Sequence, residues 1–147
     1  VKIVDANLLL YAVNEDAPLH KKAKPWLEGV LSGTEAVGFE WTVLLAFLRL
    51  STRPAVFPTP LGPEEALALI DSWLSRPCAV IVQPTERHLD VLREMLTPFG
   101  TAANLTSDAH LAAVAREHGA ELCSCDADFG RFPGLRWVNP LAPSRGR

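Results

Sequence analysis

The stretch LTSDAHLAAVAREHGAELCSCDADF, Leu105 to Phe129, holds a complete helix, strand and acidic turn. Leu105 to His118 reads as a helix, with Thr106 or Ser107 as its cap, Asp108 in the first turn, an alanine-rich face, and Gly119 just past the end. Glu121 to Ser124 is then a short strand, and Asp126 to Phe132 a polar turn. A helix feeding a short apolar strand that stops at a carboxylate is the repeating unit of a parallel sheet, so the rest of the chain is read for the same pattern.

The pattern recurs upstream. Lys2 to Val4 is a short apolar strand, broken by Asp5-Ala-Asn7 before a helical LLLYAV. His20 to Leu31 places Ala23, Trp26, Leu27, Val30 and Leu31 at spacings of three and four, which makes an amphipathic helix closed by Gly33. Ala36 to Gly38 is a second strand, followed by a mostly buried helix that begins at or near Glu40 and runs to Leu50. The proline-rich RPAVFPTPLGP is a surface loop. Pro63, Glu64 and Glu65 open the next helix. Cys78 to Val82 is a strand, and Thr85 to Leu96 is a helix with Leu89, Leu92 and Leu96 on one face. Arg136 to Val138 forms a final edge strand. The alternation predicts an α/β fold, a mainly parallel central sheet covered on both faces by helices.

Length and composition agree with that reading. The 147 residues are expected to form one domain, with a flexible tail at 140–147. The net charge of -3 argues against binding nucleic acid by bulk charge, but a local basic patch is compatible with it. Three cysteines do not make a disulfide framework. Cys123 and Cys125 lie two apart, and Cys78 stands alone on another strand. Without a second pair at zinc-binding spacing, all three are expected as small buried residues. Trp26, Trp41 and Trp73 are likewise expected in the core. No export signal and no apolar run long enough to cross a bilayer is visible, so the expected compartment is the cytoplasm.

The acids carry the functional expectation. Asp5 ends the first strand, Glu40 follows the second, Asp108 lies in a first helical turn, and Asp126 ends a later strand. Ligands of open parallel sheets bind outside the carboxyl ends of the strands, so all four acids are predicted at one sheet edge. Each alone could be a cap, a dipole partner or a turn former. Together they would repel one another unless a divalent cation sat among them. Oxygen-only ligands suit Mg²⁺ or Mn²⁺, and phosphodiester cleavage is the chemistry such a site supports.

With those acids laid out, the chain resembles the PIN-domain ribonucleases, in particular the VapC toxins of bacterial type II toxin–antitoxin modules. The likeness runs through VDANLLLYA, FEWTVLLAFLRLSTRPAVF and LTSDAHLAAVAREHGAELCSCDADFGRFPGLRWVNPL. FPTP and RWVNPL are similar to actinobacterial members. The resemblance implies a three-layer α/β/α fold and a metal-dependent endoribonuclease that leaves a 5′-phosphate and a 3′-hydroxyl. The implied substrate is structured RNA, a transfer RNA or a ribosomal RNA loop, whose cutting inhibits translation. Asp5, Glu40, Asp108 and Asp126 match the family's acidic quartet as catalytic and metal-binding residues. Asp128 matches a further acid present in many members. Asn7 and Ser124 fall where the family often places a small polar residue, serine standing here where threonine is usual. Arg49 and Arg53 are candidates for RNA contact. Also implied are a VapB-type antitoxin, a homodimer, and a toxin–antitoxin hetero-oligomer. Two other readings remain at this stage: an inactive PIN-like module that binds RNA or a partner, and a phosphatase built on Asp126-Ala-Asp128, for which no partner lysine is evident.

Overall fold

The computed structural model describes residues 1–143. Its five strands are β1 (Lys2–Val4), β2 (Val37–Phe39), β3 (Ala79–Ile81), β4 (Glu121–Cys123) and β5 (Arg136–Val138). They form one sheet in the order β3-β2-β1-β4-β5, and every neighbouring pair is parallel. Six α-helices connect them: α1 (Ala6–Val13), α2 (His20–Leu31), α3 (Trp41–Ser51), α4 (Pro63–Leu74), α5 (His88–Leu96) and α6 (Thr106–Glu117). Helix α1 packs on α2 and α3, α3 on α4, and α5 on α6, giving the three-layer α/β/α arrangement.

Such short strands cohere because β1, at the sheet centre, has Ile3 and Val4 fully buried, and β4 beside it buries Leu122 and Cys123. Gly38 marks the tightest approach in the sheet: a Cβ there would lie 3.1 Å from side-chain carbons of both Ile3 and Val82, closer than ordinary contact. On the helical side, the Trp73 ring meets Phe47 edge-on at 4.9 Å and stacks parallel to Phe39 at 6.4 Å, tying α3, α4 and β2 together. No helix among the described residues is long and apolar enough to cross a membrane.

Several sequence expectations are corrected. Trp41 is 46% exposed, not core. It is the first residue of α3, and the buried face of that helix is Val43, Leu44, Phe47 and Ser51. Trp41, Leu45 and Arg49 therefore form an exposed stripe at i, i+4, i+8, so α3 is amphipathic, not mostly buried. Leu89 is 66% exposed because α5 packs through Val91 and Met95, and a residue two positions from Val91 points about 200° away at 100° per residue. Helix α5 starts at His88, not Thr85, because Thr85 is engaged elsewhere by Glu117. Neither Thr106 nor Ser107 caps α6. Leu105 occupies the cap position and Thr106 Oγ1 donates back to the Ala103 carbonyl at 3.0 Å. Of the cysteines only Cys123 is buried; Cys78 and Cys125 are half-buried, and all three are free.

The proline-rich loop is pinned at both ends. Phe57 is buried, and the Leu61 amide donates to the Ser51 carbonyl at 2.9 Å. The expected tail at 140–147 is described only to 143; within that part Leu141 is buried, so the tail cannot begin at 140, and its last four residues lie outside the described ones.

Candidate active site

Parallel strands all end on the same side, and here the chain leaves three of them into acids. Asp5 follows β1 and caps α1, accepting the Ala6 amide on Oδ1 at 2.8 Å. Glu40 follows β2 and caps α3, its Oε2 accepting the Thr42 amide at 2.9 Å and the Thr42 hydroxyl. Asp126 lies just beyond β4 and caps a short 3-10 turn at Ala127–Arg131, accepting the Asp128 amide at 2.9 Å. Asp108 comes from the first turn of α6.

Ser124 ties the corner together. The register that sets Val4 beside Cys123 brings the next residues, Asp5 and Ser124, side by side. Ser124 is fully buried, and its hydroxyl donates to Asp5 Oδ2 at 2.7 Å while accepting from Asn7 Nδ2 at 3.2 Å and from the Asp126 amide at 3.0 Å. One donor and two acceptor sites are the full capacity of a hydroxyl. Asn7 Oδ1 accepts the Cys125 amide at 3.4 Å, and the Trp137 indole donates to the Ser124 carbonyl at 3.0 Å. Asn7 and Ser124 thus both lie at the Asp5 corner. Ser124→Ala strands the Asn7 amide and the Asp126 amide, so a loss of about 1–3 kcal/mol is expected in chemical unfolding, with Ser124→Thr nearer wild type. Equal stability of Ser124→Ala and wild type would contradict the hub.

Burial and neighbouring charge both act on the aspartates. Burial first, then Asp126, Asp5 and Asp128, push the Asp108 carboxyl up to about 6, with Arg131 opposing. Burial also pushes Asp5 above its ordinary value; hydrogen bonds from Ser124 and Ala6 pull against it, and the Asp126 charge adds to it. Asp5 and Asp108 line one cavity of about 170 Å³ together with Thr42, Ala46, Ser107 and Leu111. Asp128 is exposed, with Arg131 at 3.7 Å, and stands at the margin of this group.

Glu40 differs from the aspartates. It is buried, is not among the charges that raise Asp108, and its Oε1 faces His110 Nε2 of α6 at 3.4 Å. Arg49 and Arg53 are exposed and form no ion pair among the described residues, but neither lines the acid cavity. The sequence reading missed Thr42, Ser107 and His110. Thr42 and His110 each stand two residues after an acid of the quartet, and that is the only signal they left.

Among the described residues, no three His, Cys, Asp or Glu side chains form a group that could hold a metal ion. The donor set still fits a hard, partly hydrated cation such as Mg²⁺, which keeps several waters and takes only one or two carboxylates. It does not fit a thiolate site, since burial pushes the Cys123 thiol up to about 12 and raises Cys125 as well.

An acid-lined cleft at the carboxyl edge of an all-parallel sheet lies where open α/β folds place their ligands. The profile of the PIN domain matches residues 2–135. Ribonuclease VapC37 of Mycobacterium tuberculosis is 56% identical over 142 residues, covering 97% of this chain and 99% of that protein. Ribonuclease VapC33 of the same species is 40% identical, covering 95% and 97%. Among solved structures, VapBC2 from Rickettsia felis bound to a DNA fragment from its promoter superposes with a TM-score of 0.70 at 19% identity, covering 94% of this chain and 97% of that one. M. tuberculosis VapC20, described as a sarcin-ricin loop cleaving toxin, superposes with a TM-score of 0.67 at 22% identity, covering 92% and 99%. The chain belongs to the PIN-domain family, within its VapC ribonucleases.

Proposed function

We propose that this protein is the toxin of a type II toxin–antitoxin pair, a Mg²⁺-dependent endoribonuclease in which Mn²⁺ can substitute. The observation that carries the reading is that Asp5 and Asp108 line one cavity, where burial, and after it the Asp126 charge, pushes both carboxyls up. Uncompensated, that arrangement is unfavourable; with a cation among the carboxylates it becomes a binding site. A bound Mg²⁺ would supply an activated water and neutralise charge building on the scissile phosphate.

The side chains divide the remaining work. Asp5 and Asp108, on the same cavity wall, are the principal ligands, and Asp126 and Glu40 complete the site directly or through water. Ser124 and Asn7 fix the Asp5 rotamer and the backbone that presents Asp126. Asp128 steadies the turn and adds negative potential. Exposed Arg49 and Arg53 are the candidates for holding the RNA backbone, and recognition of a structured loop is the mode expected of a sequence-selective RNA binder.

The partner of this reading is a VapB-type antitoxin laying a segment over the acid cleft. VapBC complexes among the structural neighbours, from Rickettsia felis, Haemophilus influenzae and Salmonella typhimurium, support an antitoxin partner. A homodimer of single-domain protomers working in the cytoplasm completes the proposal. The alternative of an inactive binding module is disfavoured, because a chain released from catalysis has no electrostatic reason to hold these acids together.

Purified protein freed of antitoxin is expected to cut structured RNA when Mg²⁺ is added and to stop when EDTA is added, with Mn²⁺ restoring cleavage. Cleavage that persists in excess EDTA would overturn the metal assignment.

A further inference from the structure

Behind Glu40 runs a chain of polar side chains through otherwise apolar packing. Glu117, near the end of α6, has no exposed side-chain surface. Its Oε1 accepts the Thr85 amide at 2.8 Å and the Thr85 hydroxyl at 2.6 Å, and its Oε2 accepts His88 Nδ1 at 2.6 Å. Burial pushes Glu117 up, but these hydrogen bonds outweigh it and hold the group below its ordinary value, as a carboxylate. His88 Nε2 then meets His110 Nδ1 at 3.0 Å, the rings edge-on with centroids 4.8 Å apart. His110 Nε2, buried and without a hydrogen bond among the described residues, faces Glu40 Oε1 at 3.4 Å.

Donor counting fixes the first of these bonds: a carboxylate only accepts, so His88 Nδ1 carries a proton. Two neutral rings supply two protons for three contacts, so His110 places its own on the His88 side or on the Glu40 side. In either case its ring plane is held with Nε2 turned to Glu40. A surface salt link would not need such an arrangement. Here two helices give up a glutamate and two histidines from their packed faces, and the chain ends on one of the four site acids.

We propose that His88 and Glu117 are positioning residues for the cleavage reaction, acting through His110 on the Glu40 carboxylate. Thr42 hydrogen-bonds one oxygen of Glu40 and His110 lies against the other, so the two contacts together fix the carboxylate. This rests on the reading of Glu40 as part of the site. The logic is that of histidines whose far nitrogen is anchored by a carboxylate to fix the near one, where loss of the outer partner typically costs about 10- to 100-fold in activity or affinity.

The test is His88→Phe, which keeps a flat ring beside His110 but breaks both bonds, against His88→Gln, whose amide can donate to Glu117 and accept from His110. On bulk transfer RNA with saturating Mg²⁺, below the melting transition of every variant, His88→Phe is expected to lower kcat by about 10- to 100-fold, with apparent KM within about twofold, while the bond lost to buried Glu117 lowers the melting temperature. His88→Gln is expected to recover most of the lost kcat. Wild-type kcat in His88→Phe, a loss confined to KM, or failure of His88→Gln to recover would overturn the proposal. Long-range ¹⁵N spectra of the histidine rings in the wild-type protein give a readout independent of activity: His88 should carry a proton on Nδ1. A proton on His88 Nε2 with Nδ1 bare would also overturn it. Should wild type fail to cut any RNA with Mg²⁺ or Mn²⁺, the proposed function fails, and the ring spectra still decide whether the chain exists.

Discussion

Asp5→Asn is expected to abolish cleavage, with a loss of at least about 10³-fold, equivalent to roughly 4 kcal/mol of transition-state stabilisation. The substitution preserves volume and one oxygen for the Ala6 amide that Asp5 now caps. It removes the charge that would hold the cation, and it places an amide donor opposite a Ser124 hydroxyl whose two acceptor sites are already filled. The fold should survive, because burial and the Asp126 charge work against an ionised Asp5, and their relief offsets the lost hydrogen bond. The measurement is a single-turnover cleavage assay paired with thermal melting. Loss of activity accompanied by collapse of the fold would make Asp5 a structural cap first, and full activity would remove it from the site.

The second large effect is on pH. The Asp108 carboxyl, raised to about 6, is only about one-tenth ionised at pH 5. A proton then occupies the place of the cation, so cleavage at limiting Mg²⁺ should fall about tenfold between pH 7 and pH 5. More Mg²⁺ should shift that acid limb to lower pH. The sign for stability runs the other way in metal-free protein. A carboxyl raised in the folded state favours folding below its unfolded value of 3.8, and this contribution is lost as pH rises through about 6. Stabilisation by Mg²⁺ should therefore be small at pH 5 and larger at pH 7.5 in thermal melts. An NMR titration of the Asp108 carboxyl carbon in metal-free protein should inflect near 6 and move down in Asp126→Asn, which removes the main neighbouring charge. An inflection near 4, or one that Asp126→Asn leaves in place, would contradict this electrostatic picture.

The strands and the three strand-end acids were legible because their signal is local. A short apolar run followed at once by Asp5, Glu40 or Asp126 fixes both the element and the edge at which the acid lies. Ser124 and Asn7 were legible through the resemblance, and parallel register explains why they meet. What stayed hidden was pairing between distant positions. His88 and His110 are 22 residues apart and His88 and Glu117 are 29 apart, on two helices whose contact no single periodicity reveals. Helix faces were misread for a related reason. Leu89 and Trp41 are apolar, but the packed faces of α5 and α3 are set by which neighbouring layer they meet, and both residues fall outside them. The last four residues lie outside the described ones.

The central claim is that the acid cleft cuts RNA, and it is tested most directly by mapping new 5′-monophosphate RNA ends across the transcriptome after brief expression of wild type and of Asp5→Asn. The expected result is a small set of discrete new ends, in structured transfer or ribosomal RNA, present with wild type and absent with Asp5→Asn. No new ends with wild type, or the same ends with both proteins, would contradict it.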